Sequence, residues 1–387
     1  MSGMLLRLVC TAAVAAGTVL APVPATAAPD PAGSGERSVA RLLTRLQTLY
    51  REAEKATETY NATEERLTKQ RAETRRLDLA LARARTSLHD SRGAAGRLAR
   101  QQYQSLTVLS PYLRLLLARD PQGALDQGQV IGRLTRQRAT TVGRLTGEAE
   151  KADALARRAR QALDVQARLT ERRGKERDEV RRRLHDVEEL LASLTAEELA
   201  ALAELERAEV DEAQQELVAS GALSGSRPPT EAGERAVRYA VEQLGKPYEW
   251  GAEGPGTYDC SGLTSQAWGE AGAPIPRTSQ EQWARLERVP LRELRPGDLV
   301  VYFPEATHVA LYLGGGMVVQ APRPGARIKV SPVAANPVLG AVRPDPDGKP
   351  LRGYVPPELP EGATEGSDEG YAAATAPTAA DRARPPR

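Results

Sequence analysis

Cysteine and histidine are nearly missing from this chain. Among 387 residues there are two cysteines, Cys10 and Cys260, and three histidines, of which only His308 lies beyond residue 185. A disulfide scaffold is excluded, because Cys10 falls in an apparent export signal and Cys260 is then left with no partner. A structural zinc site needs three or four ligands, which one cysteine and one histidine do not supply. No metal or organic cofactor is implied. Aromatic residues make up 4% of the chain and Phe303 is its sole phenylalanine. The net charge is only +2, which argues against nucleic acid as a default partner. Lysine is scarce at seven residues against 46 arginines, a skew that with abundant alanine suggests a GC-rich bacterial genome. After the first twenty or so residues no run is apolar enough to span a bilayer, so no stable membrane anchor is expected.

What is present begins with a segment of signal-peptide type over residues 1–27. Arg7 gives it a basic start, Leu8–Leu20 is uncharged and apolar, and Ala25-Thr26-Ala27 is a small-residue cleavage site. Val9 before Cys10 is too large for a lipoprotein site. A secreted protein is expected, with a flexible start over 28–35.

Residues 36–219 read as a helical coiled-coil hairpin. Leu42, Leu46, Leu49, Ala53, Ala56, Tyr60, Thr63, Leu67, Gln70, Thr74, Leu77, Leu81, Ala84 and Leu88 follow a 4-3 spacing, the seam of a coiled coil. A second run over about 129–217 repeats it less cleanly, and Asp120-Pro121-Gln122-Gly123 reads as a turn. Arg and Glu on the outer faces read as solvated surface. Asn61-Ala62-Thr63 matches a glycosylation acceptor, but inside a helix it reads as chance. Residues 220–230, rich in Ser, Gly and Pro, form a linker. It can let the arm fold back over the rest of the chain or leave it extended as a rod for a partner; both readings stay open.

Residues 231–343 carry an α+β pattern. Thr230 caps a helix to about Leu244, and Cys260–Ala271 is a second helix. Short strands follow at Leu299–Phe303, His308–Leu313, Met317–Ala321 and Arg327–Val330. From residue 344 to 387, Pro, Gly, Ala and acidic residues without periodicity predict a disordered tail.

The chemistry follows from Cys260 and His308. Asp259 can cap the second helix, which places Cys260 in its first turn, where free N–H groups and the helix dipole favour thiolate. His308 can take the thiol proton and return it to a leaving amine. If Gly314-Gly315-Gly316 form a three-residue hairpin loop, Ala310 faces Gln320, and Gln320 lies diagonal to His308 on the same face. Its amide oxygen can then orient the imidazole. A two-residue loop shifts the register by one and turns Gln320 away. The plainer readings are a buried inert cysteine and a surface glutamine on a strand.

Five ordered blocks resemble one family: Gln243–Gly251, Tyr258–Leu263, Pro276–Ser279, Leu294–Leu299 and His308–Gly314. Together they are similar to the NlpC-type cell-wall cysteine peptidases, a papain-like group that cuts the peptide stems of peptidoglycan, and in particular to secreted actinobacterial members with an N-terminal helical hairpin. The resemblance implies a papain-like α+β catalytic domain, with helices on a small antiparallel sheet. It implies Cys260 as nucleophile and His308 as general base. Gln320 falls where the family carries a polar third residue, often His. Tyr248, Asp259, Ser261 and Arg277 are implied as substrate-binding residues. The family's usual target is the bond between γ-D-glutamate and a diamino acid, commonly meso-diaminopimelate. Two other readings compete: a catalytically idle wall-binding scaffold, and an amidase or acyl transferase on the same fold.

Overall fold

A computed structural model describes residues 33–105, 111–117, 120–225 and 227–365. The expected signal segment and residues 366–387 of the expected tail lie outside them. Helix α1 runs over Gly33–Ser105, a length of about 110 Å at the usual helical rise. A short α2, Pro111–Leu116, precedes α3, Pro121–Ala192, which returns along α1. Asp120-Pro121-Gln122-Gly123 is the start of α3 rather than a free turn: Asp120 caps the Gly123 N–H, and Pro121 occupies the first turn, where its missing N–H costs nothing.

The seam is buried where the spacing places it at Leu46, Ala53, Thr63, Leu67, Thr74, Leu77, Leu81 and Ala84. The second helical run is not continuous. It breaks at Ser193-Leu194-Thr195 and turns back as α4, Ala196–Ala219, whose N-terminus has a reciprocal Thr195–Glu198 capping box. Near its base α1 therefore buries a second face, with Leu43, Tyr50, Glu54, Thr57, Glu58 and Asn61 all enclosed. The 4-3 spacing does not foresee that face.

The α+β part has α5 (Glu231–Glu242), α6 (Cys260–Glu270) and α7 (Ser279–Arg285) with a six-stranded antiparallel sheet. The strands are β1 Glu287–Val289, β2 Leu299–Tyr302, β3 His308–Gly314, β4 Met317–Gln320, β5 Lys329–Pro332 and β6 Val338–Arg343, in the order β1-β6-β2-β3-β4-β5. Helices α5 and α6 bury Ala236, Val237, Leu263 and Trp268 against Leu299, Val309 and Leu311 on one face. The other face, with Val300, Tyr302, Ala310 and Tyr312, is covered partly by Leu217 and Leu223 from the end of α4 and the segment after it.

The interval expected as a linker, 220–230, runs between two docked points. Gln214 donates to the Gly316 carbonyl at 3.1 Å and accepts from the Ala334 N–H at 3.0 Å. The Leu351 N–H bonds the Pro229 carbonyl. The expected disorder from residue 344 is also corrected for 344–365. Asp345 pairs with buried Arg295, and the Ala363 carbonyl accepts from the Val330 N–H, so this irregular segment is tied to the sheet. Low periodicity hides such a segment because its partners are backbone groups and two charged side chains. No helix among the described residues is long and apolar enough to cross a membrane.

Candidate active site

The turn between β3 and β4 decides where Gln320 points. Gly314 pairs with Met317, so the loop holds only two residues, Gly315 and Gly316. All three glycines have positive φ, between 61° and 111°, a region open to glycine at little cost. A two-residue loop alone would turn Gln320 away. A bulge between Tyr312 and Gly314 absorbs the extra residue, so Tyr312 faces Val318 and Leu311 faces Val319. The register expected of a three-residue loop is restored by different means. Buried His308 and buried Gln320 meet, with His308 Nε2 2.7 Å from Gln320 Oε1.

Ser331 on β5 holds the far side of the Gln320 amide. Gln320 Nε2 donates to Ser331 Oγ at 2.8 Å, which leaves the amide oxygen for the imidazole. An amide oxygen only accepts, so the ring proton sits on Nε2 and the lone pair on Nδ1. Gln320→Ala should lower kcat by roughly tenfold or more, part of the about 10²–10⁴ that a positioned base contributes. Gln320→His or Gln320→Asn should retain more activity, and Ser331→Ala should fall between. Steady-state rates on a soluble muropeptide check this; equal rates in all four variants would move the orienting role elsewhere.

Asp259 caps α6 by accepting from the Gly262 N–H, which puts Cys260 at its first position. The Cys260 thiol accepts from the backbone N–H of Val309, the residue after His308, which joins the start of α6 to the start of β3. Thiolate is nevertheless disfavoured here. Burial pushes the Cys260 thiol well above its ordinary value, and Glu58, Asp259 and Glu54 push it further, outweighing the Val309 N–H. The expectation drawn from the helix terminus alone is corrected first of all by this burial.

Arg277 gathers the residues around the thiol. It donates to Asp259 at 2.7 and 3.1 Å, to Ser261 Oγ at 2.8 Å and to Glu253 at 2.6 Å. Tyr248 is buried in the same core cluster as Cys260. Of the residues picked out in the sequence, Cys260, Asp259, Ser261, Arg277 and Tyr248 thus meet at one end of α6, and His308 and Gln320 meet beside it.

The residues the sequence did not single out come from α1. Glu58 reaches into this site: its Oε1 accepts from Ser261 Oγ at 2.6 Å and lies 3.9 Å from Cys260 Sγ, and its Oε2 accepts from the Ser279 N–H at 2.9 Å. One turn earlier, Glu54 Oε1 lies 3.6 Å from His308 Nδ1, the ring nitrogen that does not face Gln320. One turn later, Asn61 donates to Asp259 Oδ2 at 3.0 Å. Asn61 is the residue of the chance glycosylation match, and its side chain is buried against Asp259. Tyr60 packs edge-on against Trp250 at 5.1 Å. The available signal was a polar i, i+4, i+7 row, Glu54, Glu58 and Asn61, lying off the apolar seam. The donor atoms of Glu58, Asp259 and Cys260 fall within 4.8 Å of one another, but the Asp259 carboxylate is taken up by the Arg277 guanidinium.

Residues 245–340 match the NlpC/P60 family. The chain carries an NlpC/P60 domain. It is 44% identical over 103 residues to a probable endopeptidase of Corynebacterium glutamicum, covering 27% of this chain and 49% of that one. It is 36% identical over 108 residues to a probable endopeptidase of Mycobacterium tuberculosis, covering 28% of each. The chain thus spans half or less of the length of these curated relatives. Among solved structures it is similar to the NlpC/p60 domain of the peptidoglycan hydrolase SagA, at 32% identity and a TM-score of 0.27, covering 29% of this chain and 97% of that one. It is also similar to RipD of Mycobacterium tuberculosis, described as a non-catalytic NlpC/p60 protein adapted to peptidoglycan binding, at 31% identity and a TM-score of 0.27, covering 30% and 98%.

Proposed function

We propose that this protein is a secreted peptidoglycan endopeptidase held in check by its own helical arm. The observation that carries the enzymatic half is the hydrogen-bonded line Ser331–Gln320–His308 next to a lone cysteine at a helix start. His308 Nδ1 takes the Cys260 proton, and the thiolate attacks the scissile carbonyl. In this reading the backbone N–H of Cys260 donates to the developing oxyanion. The imidazolium returns the proton to the leaving amine, which departs and leaves a thioester. Water, deprotonated by His308, then releases the acid and the thiol. A binding scaffold has no use for an oriented imidazole of this kind.

Tyr248, Asp259, Ser261 and Arg277 line the groove where a stem peptide binds, and the D-glutamyl–diaminopimelate bond is the proposed target. The arm fills that groove with Glu58 and Asn61 and sets Glu54 against the base, so a substrate reaches Cys260 only after α1 moves away. The same arm, once released, is available to a wall or cell-division partner. Mass spectrometry of muropeptides after digestion tests the reaction. Fragments ending at D-glutamate are expected. Release of intact stems from the sugar would assign amidase activity, and no release by any arm-opened variant would assign a binding role.

A further inference from the structure

The arm holds the groove through two acids that closure removes from water. Glu54 is 9% exposed and Glu58 1% exposed. Glu54 faces His308 on β3 and Arg323 beyond β4, with Arg51 and Glu58 on its own helix. Arg323 lies in turn 4.0 Å from Glu206 of α4 and over the ring of Tyr50. Glu54 Oε2 meets no hydrogen-bond donor among the described residues. Glu58 faces Asp259 and Cys260 at the start of α6, Arg277 on the following loop, and the Tyr248 ring. Three acids, Glu54, Glu58 and Asp259, thus crowd one end of the groove, and Arg277 is already bound to Asp259 and Glu253.

We propose that Glu54 and Glu58 form a proton-operated latch: the arm closes over Cys260 and His308 when these two acids carry protons and is released as they lose them. This rests on the occlusion reading above. A neutral Glu54 removes a buried charge whose Oε2 has no donor, and a neutral Glu58 can sit beside the Asp259 carboxylate without repulsion.

The direction follows from linkage. Burial pushes Glu54 up to about 8 and, together with Asp259, pushes Glu58 up to about 7, from 4.5 in the open arm. A group whose value is raised on closure favours closure at low pH, and that contribution fades as pH climbs to the closed-state value. Each retained proton makes the closed-to-open ratio fall up to about tenfold per pH unit. Both acids act below about 7, and Glu54 alone acts between about 7 and about 8. A cleft of about 650 Å³, lined by Tyr50, Arg51, Glu54, Glu206, Phe303 and Arg323, opens beside Glu54 and gives the latch a route for protons.

The test uses the full mature chain with spin labels on cysteines at Lys55 and Glu305, both exposed, in a Cys260→Ser background. Dipolar distances are recorded from pH 5.5 to 8.5. One short distance at pH 5.5, giving way to a longer one as the major population by pH 8.5, is expected. With Glu54→Gln and Glu58→Gln together, neutral isosteres of the protonated acids, the short distance should persist throughout. Glu58→Gln alone should halve the steepness below pH 7. A short distance at every pH in the unsubstituted chain overturns the latch and leaves occlusion standing. A long distance at every pH overturns occlusion itself. Opening with pH that survives the double substitution assigns the proton to other groups and overturns the role of this pair.

Discussion

Cys260→Ala should abolish hydrolysis of peptidoglycan stem peptides, and it should do so in a chain whose arm has been opened. The second condition matters because the closed chain is expected to turn over slowly for a different reason. In an opened background the loss should reach at least about 10⁴-fold, the scale on which removing a nucleophile is felt when base and nucleophile act as a unit. Among the described residues Cys260 is the only cysteine, so no neighbouring thiol can substitute. Folding should survive, since the change removes one sulfur from a helix start whose cap is made by Asp259. Rates on soluble muropeptides, with circular dichroism as the folding check, measure this. An opened Cys260→Ala chain that cuts at an undiminished rate would remove the thiol mechanism.

Asn61→Asp should have the largest opposite effect. Asn61 donates to Asp259 Oδ2 at 3.0 Å, so the substitution exchanges a hydrogen bond for two facing carboxylates without changing the shape of the side chain. Two like charges at about 4 Å cost about 4 kcal/mol at the effective dielectric of a partly solvated site, or about a thousandfold in an equilibrium. Arg277 screens part of this, because it already donates to both Asp259 oxygens. A gain in rate of about tenfold to a thousandfold at pH 7 is expected, with the ceiling set by the fully open enzyme. Asn61 is not among the residues assigned to chemistry or substrate binding, so a gain reports on the arm. An unchanged rate would mean that the arm leaves the groove unaided or that another contact dominates.

The residues proposed for catalysis could be picked out because each leaves a local trace. Cys260 follows an Asp that caps a helix, His308 starts a short run of strand-forming residues, and Gln320 lies at a countable distance across a glycine turn. Even there the count came right through a compensation, a shorter loop and a bulge, that no residue of the turn announces. The strands β1 and β6 were missed because Glu287–Val289 and Val338–Arg343 are short, and only Ala341 and Val342 among them are fully buried. The contact between the arm and the site was invisible for a deeper reason. Glu54, Glu58 and Asn61 lie some 200 residues from their partners, and on a helix polar residues off the seam read as solvent-facing. Only the fold reveals that this face is covered by the protein itself. The same contact explains why thiolate is disfavoured: a helix terminus contributes a modest local preference, while burial under the arm acts against the charge directly.

The most direct test of the account is the rate at which Cys260 is alkylated at pH 7 by a small neutral reagent. It is followed by intact mass in the full mature chain and in Asn61→Asp. In the closed arrangement the thiol is 4% exposed and burial raises its hold on the proton, so the unsubstituted chain should react slowly. Opening exposes the thiol and withdraws Glu54 and Glu58, so Asn61→Asp should react at least about tenfold faster. An added carboxylate in an arm that stayed closed would slow the reaction further, so the sign alone separates the two cases. Equal, rapid alkylation of both chains would contradict the claim that the arm guards the active site.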